Sequence, residues 1–302
     1  MKTLQVRGAK RLGVVLSGVI ASCFAISSAS ADLTHRYSFT TDASDSVGGM
    51  NGTLMNIATV SGGALQLNNP NFSAPSATEG YLALPPGILP ASGSATIESW
   101  FTFTGSGFFT EDWTFSNNAN DTNPPAATNG QYFMHTISAP QGGPVPAGGG
   151  SHIAQSLAGY AGGETDAYGT TPGIGAGGGG YLDDGETFFS ATVIDGTAGT
   201  LSYYLYDVSA GGIGGLQQTI TAIPLSSYSF TNAYLGRSAF ATDNVTSGSI
   251  DEFRIYNDAQ SAAAVAADLA AGPNVVVPTP EPASLLIAGI GALGLLGRRR
   301  GK

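Results

Sequence analysis

The chain has 302 residues, enough for one large domain or two small ones, with only 11% charged positions and 44 glycines. Eight of its 11 lysines and arginines sit at the two ends, so the stretch from Asp32 to Pro282 carries three basic against 21 acidic residues, a net of −18. A body of that sign lacks the cations to neutralise phosphates, which excludes nucleic acid as a partner and leaves cations or neutral ligands such as sugars.

The first 31 residues read as an address. Lys2, Arg7, Lys10 and Arg11 make a basic start, Leu12 to Ile26 is apolar, and Ala29-Ser30-Ala31 offers a small-residue cleavage site before Asp32. That is the pattern of a secretory signal peptide over residues 1–31. Ile20-Ala21-Ser22-Cys23 also resembles a lipobox, but Phe24, Ala25 and Ile26 carry the apolar run past it. Cys23 is the one cysteine, so cleavage after Ala31 leaves a domain without disulfides that must rest on its core. About 250 residues can bury enough surface for that.

From Leu33 onward the pattern alternates. Leu33, His35, Tyr37 and Phe39 make one face of a strand, with Thr34, Arg36 and Ser38 on the other. Ala95 to Phe103 sets Ala95, Ile97, Ser99, Phe101 and Phe103 against Thr96, Glu98, Trp100 and Thr102. Further runs cover Gln131 to Ile137, Glu186 to Ile194, Thr200 to Asp207, Gln217 to Ile223, Tyr228 to Leu235 and Ser249 to Tyr256. Their Val, Ile, Thr, Phe and Tyr suit a half-buried pleated surface, and Asn51-Gly52, Asp195-Gly196, Gly211-Gly212 and Ser247-Gly248 mark turns. One helix is expected over Ser261 to Ala271, with Ser261 as N-cap and Gly272-Pro273 as its stop. Many strands and one helix predict an all-β, antiparallel two-sheet sandwich over residues 32–273.

A proline-rich spacer follows over residues 274–282, then an uncharged apolar segment from Ala283 to Gly297 and the cluster Arg298, Arg299, Arg300, Lys302. As a helix the apolar part would reach about 22 Å, short of the roughly 30 Å hydrocarbon core. The basic cluster would stay on the cytoplasmic side of a membrane spanned by this segment, leaving Asp32 to Pro282 outside. From the residues alone, a permanent anchor and a removable tail are both open.

Pro280-Glu281-Pro282-Ala283-Ser284, the apolar segment and the arginine cluster together resemble the PEP-CTERM sorting signal of Gram-negative bacteria. The resemblance implies that residues 283–302 hold the precursor in the inner membrane until an exosortase, as processing partner, cuts near Pro280, Glu281 and Pro282, with delivery to the cell surface or extracellular matrix. The body has its own resemblance. Leu33 to Phe39, Asp45-Ser46-Val47-Gly48-Gly49, Gly80 to Leu84, Thr96 to Trp100, Leu235 to Ser238 and the closing Gly248-Ser249-Ile250-Asp251-Glu252-Phe253-Arg254-Ile255-Tyr256-Asn257 are similar to the LamG-like jelly rolls of the concanavalin A-like lectin and glucanase superfamily. That implies a jelly-roll sandwich, in a superfamily that often carries structural calcium.

Three chemistries compete for this body. Retaining glucanases use paired carboxylates about 5 Å apart. The nearest motif here, Glu164-Thr165-Asp166-Ala167-Tyr168, ends in tyrosine, and Asp251-Glu252 are adjacent and point to opposite faces of a strand. His35, His135 and His152 are far apart in sequence and lack a nucleophile context, so a non-catalytic protein is expected. Asp251 is expected on the core-facing side with Phe253 and Ile255, where it needs a cation or a donor. With Asp42 and Asp45 it could build a calcium cage; loop amides, Arg36 or Arg237 are the alternative partners. Last, Gln141 to Leu216 holds 22 of the 44 glycines, punctuated by Tyr160, Tyr168 and Tyr181. Such rings can stack on a sugar face, so an extracellular polysaccharide or glycoconjugate is the expected ligand. A structural or adhesive matrix component without a discrete ligand is the alternative.

Overall fold

The computed structural model describes residues 32–70, 78–104, 109–117, 130–138, 151–157, 165–169, 182, 185–240 and 243–277. The expected signal peptide with Ala29 and Ala31, the sorting residues Pro280, Glu281, Pro282, Arg298, Arg299 and Arg300, and Tyr160 and Tyr181 lie outside the described residues. No helix among the described residues is long and apolar enough to cross a membrane.

In chain order the described strands are β1 (Leu33–Tyr37), β2 (Thr53–Met55), β3 (Thr59–Ser61), β4 (Ala64–Gln66), β5 (Tyr81–Leu84), β6 (Ala95–Phe103), β7 (Thr110–Ser116) and β8 (Tyr132–Ser138). There follow β9 (His152–Ser156), β10 (Thr165–Tyr168), β11 (Thr187–Asp195), β12 (Thr200–Asp207), β13 (Ile213–Thr221), β14 (Asn232–Leu235), β15 (Gly248–Tyr256) and one helix, α1 (Ala262–Ala271). One sheet runs β13-β12-β11-β6-β15-β4-β3, with β1 also paired to β15; the other runs β10-β9-β8-β7-β14-β5-β2. Every described pairing is antiparallel. The chain is an all-β two-sheet antiparallel sandwich.

Alternation fills the space between the sheets. Ile97, Phe101 and Phe103 of β6, Phe188 and Ile194 of β11, Leu201, Tyr203 and Leu205 of β12, and Phe253 and Ile255 of β15 meet Trp113, Phe115, Phe133 and Ile153 from the other sheet. Each such ring buried contributes roughly 1.5–3 kcal/mol, and with no disulfide available this core carries the stability. Asp251 departs from expectation. A β-bulge between Ile250 and Glu252 inserts it as an extra residue, so Ile250, Phe253 and Ile255 share the core face without it. The stretch from Tyr228 to Phe230 also departs, lying in the loop before β14 rather than in a strand.

The outer face of the larger sheet is not left to water. Val265 and Leu269 of α1 pack on Trp100, Phe189, Ala191 and Tyr204. Ser261 caps the helix by accepting from the Ala264 N–H at 3.2 Å, and Gly272 ends it at φ 77°, where a side chain would be strained. Beneath the helix lies a layer of charge. The fully buried Arg254 guanidinium stacks 4.6 Å from the Trp100 ring centroid and donates from Nε to Glu252 at 2.5 Å and from Nη1 to Asp268 at 3.5 Å. Glu98 is 3.7 Å from Nη1, and Nη2 donates to the Val275 carbonyl at 2.8 Å. Glu252 also accepts from Arg36 Nε at 2.7 Å and from the Asn274 N–H. Burial pushes Glu98 well up, helped by Asp268 and opposed by Arg254. Burial also raises Glu252, but bonds from Arg36 and Arg254 outweigh it and hold that carboxyl below its ordinary value.

Removing Arg254 takes the cation from Glu98 and Asp268 in a water-excluded layer and leaves Glu252 with Arg36 and the Asn274 amide. Arg254→Ala should therefore cost about 3–5 kcal/mol in urea unfolding. Arg36→Ala, at a side chain 18% exposed, should cost clearly less, because Glu252 keeps Arg254 and the Asn274 amide.

Candidate functional site

The residues expected to share a calcium ion do not gather. Asp42 is exposed and accepts from the Ser44 N–H at 2.9 Å. Asp45 is buried in the turn after β1, and its carboxylate is taken up by N–H groups. Oδ1 accepts from Arg36 at 2.9 Å, Val47 at 3.1 Å and Gly48 at 3.0 Å, while Oδ2 accepts from Met50 at 3.1 Å and lies 2.7 Å from His35 Nδ1. Burial alone would raise Asp45, but these bonds win and hold it at about 2. Gly48 permits the arrangement, since a Cβ there would lie 2.4 Å from His35 Nδ1. Asp251, half-buried on the bulge, is pushed up by that burial. Among the described residues no group of three or more His, Cys, Asp or Glu is placed to hold a metal ion.

Of the three tyrosines, Tyr168 is described. It ends β10 at the edge of the smaller sheet, half-exposed, with its ring 5.5 Å from His152 at 29° and its hydroxyl donating to Asp166 at 2.8 Å. Asp166, from the nearest glucanase-like motif, is therefore bonded within its own strand.

Tyr168 belongs to the outer face of that sheet. Cross-strand register sets Ala83, Tyr234, Thr114, Met134, Ala154 and Asp166 in one outward row, a span of about 24 Å over six strands. The middle of the row is buried, and half-exposed groups mark its ends. At the far end from Tyr168, Tyr81 and Tyr234 meet edge to face, centroids 5.4 Å apart. The Arg237 guanidinium lies 4.8 and 5.2 Å from those two ring centroids, with Nε 2.7 Å from Glu79. Arg237 and its two tyrosines were missed in the sequence, although Leu235-Gly236-Arg237-Ser238 stood out there; only the register of β5 with β14 brings Tyr81 beside Tyr234.

A second arrangement was missed because its members lie on separate elements. His135 Nε2 is hydrogen-bonded to Ser151 Oγ and to Tyr203 Oη at 2.8 Å, and Nδ1 is 2.7 Å from Asp112 Oδ1. Acid, imidazole and hydroxyl thus stand in the order of a nucleophilic triad. All of it lies between the sheets. His135 and Tyr203 are 0% exposed, Asp112 and Ser151 1%, and Phe101, Trp113 and Tyr203 surround the imidazole. Tyr203 occupies the position beside Ser151 Oγ that a substrate carbonyl would need. The group joins the two sheets through a polar pin.

Residues 278–300 match the PEP-CTERM protein-sorting motif. No curated protein matches the chain in sequence. Similar solved structures include domain 4 of AbnA, an extracellular GH43 arabinanase from Geobacillus stearothermophilus, in complex with arabinotriose (20% identity, TM-score 0.49, 78% of this chain and 97% of that one). The binding domain of Botulinum neurotoxin DC, in complex with rat synaptotagmin II, is similar at 11% identity and a TM-score of 0.48, covering 77% of this chain, which spans 50% of the toxin domain. A Ruminococcus gnavus IT-sialidase CBM40 bound to alpha2,3 sialyllactose is similar at 15% identity and a TM-score of 0.41, over 58% of this chain and 82% of that one.

Two measurements check this site. A fluorophosphonate probe should leave Ser151 unlabelled in the native protein and label it no faster than the other serines. His152 is held down to about 3, by burial and then by His135, so it is neutral in the fold and protonates in the unfolded chain below about 6.5. Between those values the unfolded state binds the extra proton, so stability should fall with falling pH by up to about 1.4 kcal/mol per unit, and His152→Leu should flatten that slope in urea titrations.

Proposed function

We propose that this is an exported, exosortase-processed protein of the cell surface or extracellular matrix whose jelly-roll sandwich binds a neutral polysaccharide without modifying it. The sorting motif over residues 278–300 supports export. The observation that carries the binding reading is the Tyr81–Arg237–Tyr234 arrangement on the outer face of the smaller sheet. An arginine held against aromatic rings presents fixed donors beside an apolar edge, the combination a sugar's hydroxyls and ring face require. Tyr168 would extend the contact at the other end of the row, with Tyr160 and Tyr181 as further candidate ligand-binding rings from the glycine-rich stretch. A body of −18 repels uronates and sulfated chains, which favours neutral sugars. The non-catalytic reading draws on the burial of the Asp112–His135–Ser151 group.

The structural or adhesive alternative draws on the exposed Ile213 and Leu216 of β13, an edge strand. Glycan-array binding by the secreted protein separates the two. Retention on neutral glycans, weakened about tenfold or more by Tyr234→Ala in a variant that circular dichroism shows still folded, is the expected result. No retained glycan, with self-association that Ile213→Lys abolishes, would establish the alternative. Intact mass of the native product should run from Asp32 to the vicinity of Glu281.

A further inference from the structure

Helix α1 is held to the larger sheet by little apolar surface. Most of its residues are alanine, its buried side chains are Val265 and Asp268, and Leu269 packs beside them partly buried. An acid therefore fills a position on the packed face where an apolar residue is the rule.

The layer that receives Asp268 does not balance in charge. It holds the carboxyls of Glu98 from β6, Glu252 from β15 and Asp268 from α1, against the guanidiniums of Arg254 from β15 and Arg36 from β1. Glu98, Glu252 and Arg254 are 0% exposed and Asp268 3%, so water does not make up the difference. Glu252 takes the shorter bonds from both cations: Arg36 Nε at 2.7 Å and Nη2 at 3.1 Å, and Arg254 Nε at 2.5 Å. Glu98 and Asp268 are left with Arg254 Nη1 at 3.7 and 3.5 Å, longer than a good hydrogen bond.

Those two acids also compete for one phenol. The Tyr256 hydroxyl is 3.3 Å from Glu98 Oε2 and 3.4 Å from Asp268 Oδ2, and its single proton serves one of them at a time. Gln260 Nε2 adds a bond to Asp268 at 3.2 Å, whereas Glu98 Oε1, sealed from water, has no donor. An ionised carboxylate is costly in such a place, and a protonated Glu98 has the Asp268 carboxylate to donate to. Burial, and then the Asp268 charge, push Glu98 well up against the pull of Arg254, and burial raises Asp268 as well.

We propose that Glu98 and Asp268 hold one proton between them and that this proton latches α1 to the sheet, so that the helix and the chain leading to residue 278 loosen when it is lost. β6 and β15 are fixed by pairing to each other and to further strands, so the helix is the element that can carry a charge out to water. Asp268 then leaves with it, and Trp100, now covered by Val265 and Leu269, meets solvent. The folded chain keeps its proton to a higher pH than the unfolded chain, whose carboxyls lose theirs near about 4, so the latch is full in acid and fails as pH rises. It does not rest on the polysaccharide reading, which concerns the other sheet.

Urea unfolding and acrylamide quenching of the whole secreted protein between about pH 5 and about pH 9, in wild type and Glu98→Gln, test the latch. Glutamine keeps the shape of the protonated acid and has no proton to lose. Wild-type stability relative to the variant should fall with rising pH, by about tenfold in the folding constant per pH unit between the two states' titrations, and His152, common to both proteins, cancels. Quenching of Trp100 should rise with pH in wild type and stay low in the variant, with Trp113 between the sheets shielded throughout. The infrared difference spectrum at neutral pH should show one protonated-carboxyl stretch lost in Glu98→Gln. Asp268→Asn, which leaves two acids to two arginines, should also remove the pH response, and it serves if Glu98→Gln fails to fold. A stability difference flat in pH, Trp100 quenching unchanged up to about pH 9, or the same quenching in wild type and variant would overturn the proposal. So would failure of both variants to fold, since each reproduces the shape of a neutral acid.

Discussion

The Arg254 guanidinium is the interaction on which the rest of this sandwich is assembled. A single side chain on β15 is stacked on Trp100 of β6, bonded to Glu252 on its own strand, to Asp268 of α1 and to the Val275 carbonyl beyond the helix. Through Glu252 it also reaches Arg36 of β1. β1, β6 and the closing run of β15, α1 and the residues after it are thus fixed around one charge. In a buried layer such a charge cannot be shared loosely, since each unpaired acid would cost several kcal/mol. The protonation pattern follows: Glu252, with two arginines, is favoured as the carboxylate, while burial and Asp268 drive Glu98 toward its neutral form.

Much of this fold was legible in the sequence because its longer strands alternate cleanly. Ala95–Phe103, Thr200–Asp207 and Gly248–Tyr256 stand where the period of two places them, and Ser261 and Gly272 bound the helix as their chemistry predicts. Burial of the outward set on β6 was not legible. Glu98 and Trp100 look solvent-facing by alternation, and only the helix packed over them takes them out of water. Strands of three or four residues such as β2, β3 and β4 carry too few positions for a period to show. β7 was hidden by Glu111-Asp112 and by irregular register there, and Asp251 was misplaced because a bulge cannot be read from spacing.

The candidate sites were harder to read, because sites are made by register rather than by runs. Asp45 looked like a free carboxylate in a loop, yet the turn folds its N–H groups onto it. His135 looked isolated until β7, β8, β12 and the residue before β9 converged on it. Arg237 was visible as one of three cations in an acidic body, and its two flanking rings came from strands far apart in the chain. Scarcity singled out each of the three body arginines, and each is bound to a buried glutamate.

The bond from Arg254 to the Val275 carbonyl has a geometric consequence for export. Backbone at Asn274 and Val275 is pinned to the body, and the sorting motif begins at residue 278. Only Val276 and Val277 stand between, a leash of at most about 7 Å when fully stretched. If the motif is cut as proposed while the sandwich is folded, the enzyme would meet the body at the motif's first residue, and steric bulk on the adjoining surface would bear on cutting.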